Sequence, residues 1–190
     1  MAALGEAGFE AFAVGGSVRD LVLGRAPKDW DLATNARPEE VQKLFPDHVY
    51  ENTFGTVGIK VPRFLSTTPE RFEHDIIEVT TYRRESAYTD KRRPEQLDFV
   101  TTLEEDLSRR DFTINALAYG KRDGAFVLID PYAGQTDLKE KVIRTVGDPH
   151  ARFREGRPSA SCGRCALPPN CAIRKRKSRV KTGALRMQLL

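Results

Sequence analysis

Short apolar segments typical of strands alternate with helical patterns through most of this chain, and this alternation limits the possible folds more than any other feature of the sequence. Four segments have the length and composition of strands, residues 9–14, 30–33, 57–61 and 76–82, and two briefer ones are residues 126–129 and 142–146. Helical patterns follow Gly16 and begin again at Pro38. Because strands and helices alternate without a regular βαβ rhythm, the sequence predicts an α/β (α+β-like) fold in which a mixed sheet is flanked by helices.

The helical segments have recognisable beginnings. Ser17 is placed to cap a helix that continues to Leu23, and Pro38 suits the first turn of a second helix. The buried side of the first helix is expected at Val18, Leu21 and Val22. Further along the chain, residues 103–119 predict two short helical pieces that are interrupted near Arg110.

The sequence changes character at Gly156. Before that point, the charged stretch at residues 83–95 is expected to be a mobile loop between folded elements. After it, prolines and serines interrupt a segment that has neither helical nor strand period, and a basic run follows. We therefore expect one folded head domain over residues 1–155 and an irregular basic tail over residues 156–190.

Composition and charge bear on the environment and the partners of the protein. Hydrophobic residues make up 39% and charged residues 31% of the chain, which is typical of a soluble globular protein. No apolar run approaches the roughly 20 residues that cross a bilayer, and no secretion signal is visible, so we expect a cytoplasmic protein without a membrane partner. The net charge of +4 and the clustering of arginines and lysines permit a partner that carries phosphate.

The first candidate site is the pair of aspartates in Asp29-Trp30-Asp31. Side chains two residues apart on a strand point the same way, so both carboxylates are expected on one surface. Neighbouring anions repel each other, and a divalent cation such as Mg²⁺ relieves that repulsion while keeping positions open for water and substrate phosphate. Taken alone, such a pattern is more often a solvated turn with two surface aspartates.

The residues that precede this pair point to an anion. Gly15 and Gly16 carry no side chain, so a ligand is able to approach their backbone closely, and the following helix begins with N–H groups that favour negative charge. Arg19 lies one turn into that helix, where its forked donors are able to reach a phosphate oxygen. A phosphate cradle followed closely by a metal-binding carboxylate pair outlines a site for a nucleoside triphosphate.

Two longer motifs resemble those of a known family. GGSVRDLVLG at residues 15–24 and KDWDLAT at residues 28–34 resemble the signature of class II tRNA nucleotidyltransferases, the CCA-adding enzymes, and of bacterial poly(A) polymerases. EEDLSRRDFTINALAY at residues 104–119 is similar to the second motif of this family. The resemblance covers about residues 9–155, and it implies a nucleotidyltransferase head of the DNA polymerase beta superfamily.

The resemblance also implies roles for individual residues. The residues that match the family's contacts to the sugar and phosphates of the incoming nucleotide are Arg110, Asp111 and Asn115. Glu78 is a candidate for a third catalytic carboxylate near the metals. However, Asp75 lies on the same predicted strand at an odd separation from Glu78, so only one of the two is able to face the metals.

The activity implied by the resemblance is addition of C and A to the 3′ end of tRNA without a template. Asp29 and Asp31 would hold two Mg²⁺ ions, while Gly16 and Arg19 position the phosphates of CTP or ATP. The RNA 3′-hydroxyl would then attack the α-phosphorus and release pyrophosphate. Two alternatives stay open: a bacterial poly(A) polymerase, which shares this head, and an inactive fragment that binds nucleotide or RNA without transfer.

The tail departs from the family pattern. In the family, the phrase that matches residues 147–155 leads into a long helix that reads the base of the nucleotide, whereas this chain continues with GRPSASC. One permitted codon choice in another reading frame restores arginines and apolar residues at helical spacing, so we interpret the tail as the result of a frameshift near Gly156. Its three cysteines lack the fourth ligand of a closed zinc site. The alternative is that the basic run at residues 174–181 binds RNA phosphates.

Overall fold

The structure, a computed structural model, describes residues 1–51, 55–62, 74–84, 98–149 and 187–188. Its strands are β1 (Ala11–Val14), β2 (Trp30–Thr34), β3 (His48–Glu51), β4 (Thr56–Pro62), β5 (His74–Thr81), β6 (Arg83–Arg84), β7 (Asp98–Phe99), β8 (Ala118–Arg122), β9 (Ala125–Ile129), β10 (Val142–Ile143) and β11 (Met187–Gln188). Its helices are α1 (Ala2–Glu6), α2 (Gly16–Val22), α3 (Pro38–Leu44), α4 (Leu103–Ser108) and α5 (Gly134–Glu140), and a 3-10 turn, η1, spans Thr113–Asn115.

Seven strands form one mixed sheet in the order β3-β4-β5-β2-β1-β8-β9. Strands β2 and β5 pair in parallel, and the other neighbours in this sheet pair antiparallel. Two small pairs, β6 with β7 and β10 with β11, lie outside it. The predicted α/β fold with a mixed sheet is confirmed, and β2, which carries Asp31, lies at its centre.

Helices pack on both faces of the large sheet. On one face, Leu4 of α1, Val18 of α2 and Val41 of α3 join alternate residues of β1, β2, β4 and β5 in a buried cluster. On the other, which we call the α4 face, Leu103 and Leu107 of α4 pack against residues of β1, β2 and β8. Among the residues that the structure describes, the α4-face cluster contains none from β3 or β4, so this helix covers only part of its face.

The start of α2 differs from the prediction. Gly15 is the N-cap, with a φ of +72° that glycine adopts without a steric penalty, and Ser17 lies inside the helix, where its buried hydroxyl donates to the Val14 carbonyl at 2.9 Å. Of the residues expected on the buried side, only Val18 is buried, while Leu21 and Val22 are exposed. The buried residues of α2 are Ser17 and Val18, so only its first turn is buried against the sheet.

The prediction for residues 103–119 is confirmed as far as Asn115. Helix α4 and the turn η1 are the two pieces expected within residues 103–119, and the interruption falls between them. Tyr119, however, belongs to β8, because the backbone after η1 pairs with β1. The strand expected over residues 142–146 is limited to Val142–Ile143, and Thr145 forms a single bridge with Phe112.

Other predictions concern the charged stretch and the tail. Arg83–Arg84, which we expected to begin a mobile loop, pairs with Asp98–Phe99 instead, and residues 85–95 lie outside the described residues. The helix expected from Pro38 is confirmed, with the side chain of Glu40 accepting from the Arg37 backbone N–H. The frameshift near Gly156 and the alternative of RNA binding by residues 174–181 concern positions that lie outside the described residues.

Candidate nucleotide and metal site

Asp31 and Glu78 lie directly opposite each other on the parallel strands β2 and β5. Residues paired in register point to the same face, and Asp31 shares its face with Ala33, which packs in the α4-face cluster. Asp75, three residues before Glu78, therefore points to the opposite face. The strand register thus places Glu78, and not Asp75, beside Asp31.

Asp29 lies one residue before β2, in a bend, and its side chain is exposed. Burial raises the pKa of the Asp31 carboxyl, the positive charge of Arg110 opposes that rise, and the negative charge of Asp29 adds to it. The negative charge of Asp29 therefore acts on Asp31, but only Asp31 belongs to the strand, so the placement of both carboxylates on one surface stays a prediction. A half-buried carboxylate with a like-charged neighbour favours the binding of a cation.

Two guanidinium groups lie against the glycine pair. A Cβ atom on Gly15 would be 3.0 Å from Nη1 of Arg110 and 3.6 Å from Oδ2 of Asp31. A Cβ atom on Gly16 would be 3.5 Å from Nη2 of Arg19. The absence of side chains at both positions lets two positive charges and one carboxylate meet at the beginning of α2.

A hydrogen-bonded chain joins α2 to η1. Arg19 donates from Nη1 to Oδ1 of Asn115 at 2.9 Å and from Nε to Oδ1 of Asp20 at 3.0 Å. Asn115 is buried, and its Nδ2 donates to Oδ1 of Asp111 at 3.4 Å. The two sequence motifs, which are almost 100 residues apart in the chain, therefore meet at one site.

Asp106 is a residue that the sequence analysis did not single out. Its side chain is fully buried, and it accepts hydrogen bonds from Arg109 at 2.7 and 2.9 Å and from Arg110 at 3.2 Å. Burial raises the pKa of Asp106, but the charges of Arg110 and Arg109 outweigh that effect and lower it overall. The signal was present in the sequence, because an acid three and four residues before two arginines on a helix is able to pair with both.

Two buried polar atoms in this region have no hydrogen-bond partner. They are Nε of Arg110 and Oδ2 of Asp111. Leaving such an atom unsatisfied costs about 1–3 kcal/mol, so buried polar atoms without a partner are rare in native proteins and call for an explanation. Arg110 lies against Gly15, and Asp111 is joined to Arg19 through Asn115. One donor and one acceptor at the site are suited to a ligand that carries both phosphate and hydroxyl groups.

The 3-10 turn that carries Asn115 packs against α5, which stabilises its position. The Thr113 hydroxyl donates to the buried Asp137 at 2.6 Å, and Arg144 donates to both oxygens of the same carboxylate. A Cβ atom on Gly134 would lie 2.3 Å from the Thr113 carbonyl oxygen, so only glycine permits this close packing. The position of Asn115 is therefore fixed by elements outside both sequence motifs.

The arrangement of acidic residues bears on metal binding. The described part of the chain contains no group of three or more His, Cys, Asp or Glu side chains placed together to hold a metal ion. A cation at this site would rely on the Asp29 and Asp31 carboxylates, which are hard oxygen ligands of the type that Mg²⁺ prefers, and on ligands from water or substrate.

Within the described residues, no helix is both long enough and apolar enough to span a bilayer.

The fold and site can be compared with those of known proteins. A family model described as the poly A polymerase head domain matches residues 11–144. This match covers most of the chain, and the protein belongs to the poly A polymerase head domain family. The family resemblance inferred from the two motifs is thereby confirmed.

The curated relatives compared with this chain are CCA-adding enzymes. The chain is 49% identical over 152 residues to the CCA-adding enzyme of Levilactobacillus brevis, and this alignment covers 79% of this chain and 34% of that protein. It is 47% identical over 148 residues to the CCA-adding enzyme of Geobacillus thermodenitrificans, covering 78% of this chain and 33% of the relative. The chain therefore spans about a third of the length of these curated relatives.

Solved structures show the same relationship. The CCA-adding enzyme of Bacillus stearothermophilus in complex with CTP superposes with a TM-score of 0.63 at 38% identity, over 81% of this chain and 33% of that one. A tRNA nucleotidyltransferase complexed with a primer tRNA and an incoming ATP analog gives 0.60 at 32% identity, over 82% and 41%. The mixed sheet with its helices is thus the nucleotidyltransferase head of these enzymes.

The close approach at Gly15 makes a testable prediction. Gly15→Ala is expected to weaken nucleotide binding by about tenfold or more, because the new Cβ meets the Arg110 guanidinium, and to cost at least about 1–2 kcal/mol of stability. Gly24→Ala is the matched control, since Gly24 also has a positive φ, +69°, but no heavy atom lies within 4 Å of its added Cβ. Titration of both variants with CTP and ATP tests this, and equal affinities in the two would contradict it.

Proposed function

We propose that this protein is the catalytic head of an RNA nucleotidyltransferase that adds C and A to the 3′ end of tRNA from CTP and ATP and releases pyrophosphate. The observation that carries the proposal is the meeting of Asp31, Arg110 and the glycine pair at one point of the sheet. The curated relatives named above are CCA-adding enzymes. One similar solved structure contains CTP, and another contains a primer tRNA and an incoming ATP analog. The whole enzyme's activity is inferred for a chain that spans a third of such proteins.

The glycine pair and its two arginines form the proposed triphosphate site. Gly15 and Gly16 leave room for phosphate oxygens to approach the backbone, and Arg19 and Arg110 supply the charge. The unpartnered Nε of Arg110 offers one further donor to a phosphate oxygen. These residues would bind the leaving pyrophosphate portion and hold the α-phosphorus near Asp31.

The proposed nucleoside contacts come from η1 and the residue before it. Oδ2 of Asp111 is a buried acceptor without a partner, which suits a ribose hydroxyl. The side-chain amide of Asn115 accepts a hydrogen bond from Arg19 and donates one to Asp111. Asn115 would therefore connect Arg19, which contacts the phosphates, with Asp111, which contacts the ribose. Each of these roles is a proposal drawn from geometry together with the family resemblance.

Asp29 and Asp31 fit a divalent cation, and we propose Mg²⁺. Their mutual repulsion, the burial of Asp31 and the oxygen chemistry of the pair are the supporting observations. When bound, such ions activate the attacking hydroxyl and stabilise charge on the phosphates. Glu78, on the same face as Asp31 and in register with it, is the proposed third catalytic carboxylate, placed to orient or accept the proton of the attacking hydroxyl.

A bacterial poly(A) polymerase is the competing activity, because it shares this head. The curated relatives named above are CCA-adding enzymes, which favours addition of C and A over a run of A. An activity on tRNA with CTP and ATP also agrees with the cytoplasmic location expected from the sequence. The head is proposed to occupy residues 1–155 and an irregular basic tail residues 156–190, in which Met187–Gln188 pairs with β10 of the head.

The proposed function is tested by supplying the protein with Mg²⁺ and a tRNA that ends before its CCA sequence. We expect incorporation of labelled CTP and ATP, release of pyrophosphate, and loss of both when the metal is chelated. Incorporation from ATP alone into a long product would indicate a poly(A) polymerase instead. Magnesium-dependent nucleotide binding without any transfer would contradict the proposed activity and identify a nucleotide-binding fragment.

A further inference from the structure

The last residues that the structure describes return to the head. Met187–Gln188 form β11, which pairs antiparallel with β10, so that Gln188 lies opposite Val142 and Met187 lies opposite Ile143. Both residues of β11 belong to the tail that the sequence predicts to be irregular. One piece of the tail is therefore a structural element of the head.

Strand β10 is buried, and its backbone needs hydrogen-bond partners. Val142 is 3% exposed and Ile143 is 8% exposed. Buried backbone N–H and C=O groups are almost always hydrogen-bonded, because leaving one without a partner costs free energy. Within the described ranges, β11 is the strand that pairs with these two residues. The edge of β10 is thus a surface that accepts an extended segment.

The chain that follows β10 pairs with the backbone beside η1. The Thr113 N–H donates to the Arg144 carbonyl at 2.9 Å, and the Val146 N–H donates to the Asp111 carbonyl at 3.0 Å. Residues 142–146 are therefore one continuous segment, which contacts β11 at its beginning and the backbone of Asp111 and Thr113 at its end.

The residues that this segment contacts are those proposed to bind the nucleoside. Oδ2 of Asp111 is the buried acceptor proposed for a ribose hydroxyl, and Oδ1 of the same carboxylate accepts from Nδ2 of Asn115 at 3.4 Å. Contiguous hydrogen-bonded elements carry coupling between separate parts of a protein. A displacement of residues 142–146 would move the Asp111 backbone, and with it the proposed ribose contact.

We propose that the C-terminal strand β11 positions the nucleoside contacts, because its pairing with β10 fixes residues 142–146 and these fix Asp111 and Asn115. The edge of β10 is the docking surface, and Met187–Gln188 of the same chain is its occupant. This inference rests on the proposed function for the identity of the ligand. It adds a positioning element that lies outside both sequence motifs.

Proline substitution in β11 tests the pairing. Neighbouring residues of an antiparallel pair alternate between hydrogen-bonded and non-hydrogen-bonded positions, so either Met187 or Gln188 directs its N–H toward β10. The double variant Met187→Pro with Gln188→Pro removes this donor in both cases. Met187→Ile with Gln188→Thr is the matched control, because it keeps both N–H groups and introduces β-branched side chains that suit a strand.

Titration of the full chain with CTP and with ATP, in the presence of Mg²⁺ and without RNA, measures the effect apart from turnover. The proline variant is expected to bind both nucleotides about fivefold more weakly, and the control variant is expected to bind them like the wild type. A purely structural role for β11 would lower the fraction of protein that binds nucleotide and leave the affinity of the folded fraction unchanged.

Hydrogen exchange provides a readout that needs no ligand. The amide protons of Thr113 and Val146 are expected to exchange faster in the proline variant than in the control. Faster exchange together with weaker nucleotide binding supports the inference even when nothing is transferred to RNA, in which case only the proposed activity fails. Unchanged nucleotide affinity, or unchanged exchange at these two amides, would overturn the inference even if transfer to tRNA is normal. A wild type that binds neither nucleotide would refute the proposed function, and the exchange rates alone then decide whether β11 fixes the backbone at Asp111.

Discussion

Asp31→Asn is expected to lower nucleotide transfer by about 1,000-fold or more, because a metal ligand that supports charge on the phosphates contributes several kcal/mol to the rate. The variant keeps the shape of the side chain and removes its charge. The rate of CTP and ATP incorporation at saturating Mg²⁺ measures the effect. Activity within tenfold of the wild type would show that Asp31 does not hold a catalytic metal.

The same variant is expected to be at least as stable as the wild type. Burial and the charge of Asp29 raise the pKa of Asp31, so the folded state binds its proton more tightly than the unfolded state does. Ionisation of Asp31 as pH rises through its folded pKa therefore costs stability, and Asn removes that cost. Asp123→Asn is the control, because Asp123 is an exposed turn residue with a φ of +52° that Asn also tolerates.

Asp106→Ala is expected to destabilise the protein by about 3–5 kcal/mol, because it leaves two largely buried guanidinium groups without their shared partner. Asp106→Asn keeps the volume and is expected to fold, with a raised KM for nucleotide, since Arg110 is no longer held beside Gly15. Thermal unfolding and nucleotide titration measure the two effects. A nucleotide KM unchanged in Asp106→Asn would mean that Asp106 only supports the fold.

The pH dependence of stability provides a second check on Asp106. Because its pKa is lowered on folding from an ordinary value of 3.8, its stabilising contribution is present above that value and is lost as pH falls through the folded pKa. The stability difference between wild type and Asp106→Asn should therefore shrink in acid. Glu104→Gln is the control on the same helix, since its ion pair with Arg122 is exposed and worth roughly 0–1 kcal/mol.

Much of the fold and the site could be predicted from local sequence. Gly15 and Gly16 indicate a turn, and the position of Pro38 predicts the start of α3, because both effects act within a few residues. The spacing of Asp29 and Asp31 also predicts that their carboxylates share one surface, and this stays a prediction because Asp29 lies in a bend before β2. These features depend on backbone conformation and side-chain direction, which neighbouring residues determine.

The remaining features depend on contacts between distant segments. The sequence could not decide between Asp75 and Glu78, because strand alternation gives two faces but only the parallel register of β5 with β2 identifies the face of Asp31. Tyr119 was assigned to a helix because its helical pattern is local, whereas the pairing of β8 with β1 is not. The support of Asn115 by Asp137 and Arg144 likewise joins separate elements, so no local pattern predicts it.

The central claim is that Asp29 and Asp31 hold divalent metal beside a glycine cradle for a nucleoside triphosphate. Its most direct test is a crystal structure of the protein grown with Mn²⁺ and CTP, in which anomalous scattering locates the metal. We predict manganese within roughly 2.5 Å of carboxylate oxygens from both aspartates, with the triphosphate against Gly15 and Gly16. Manganese bound elsewhere, or a triphosphate away from these glycines, would contradict the account.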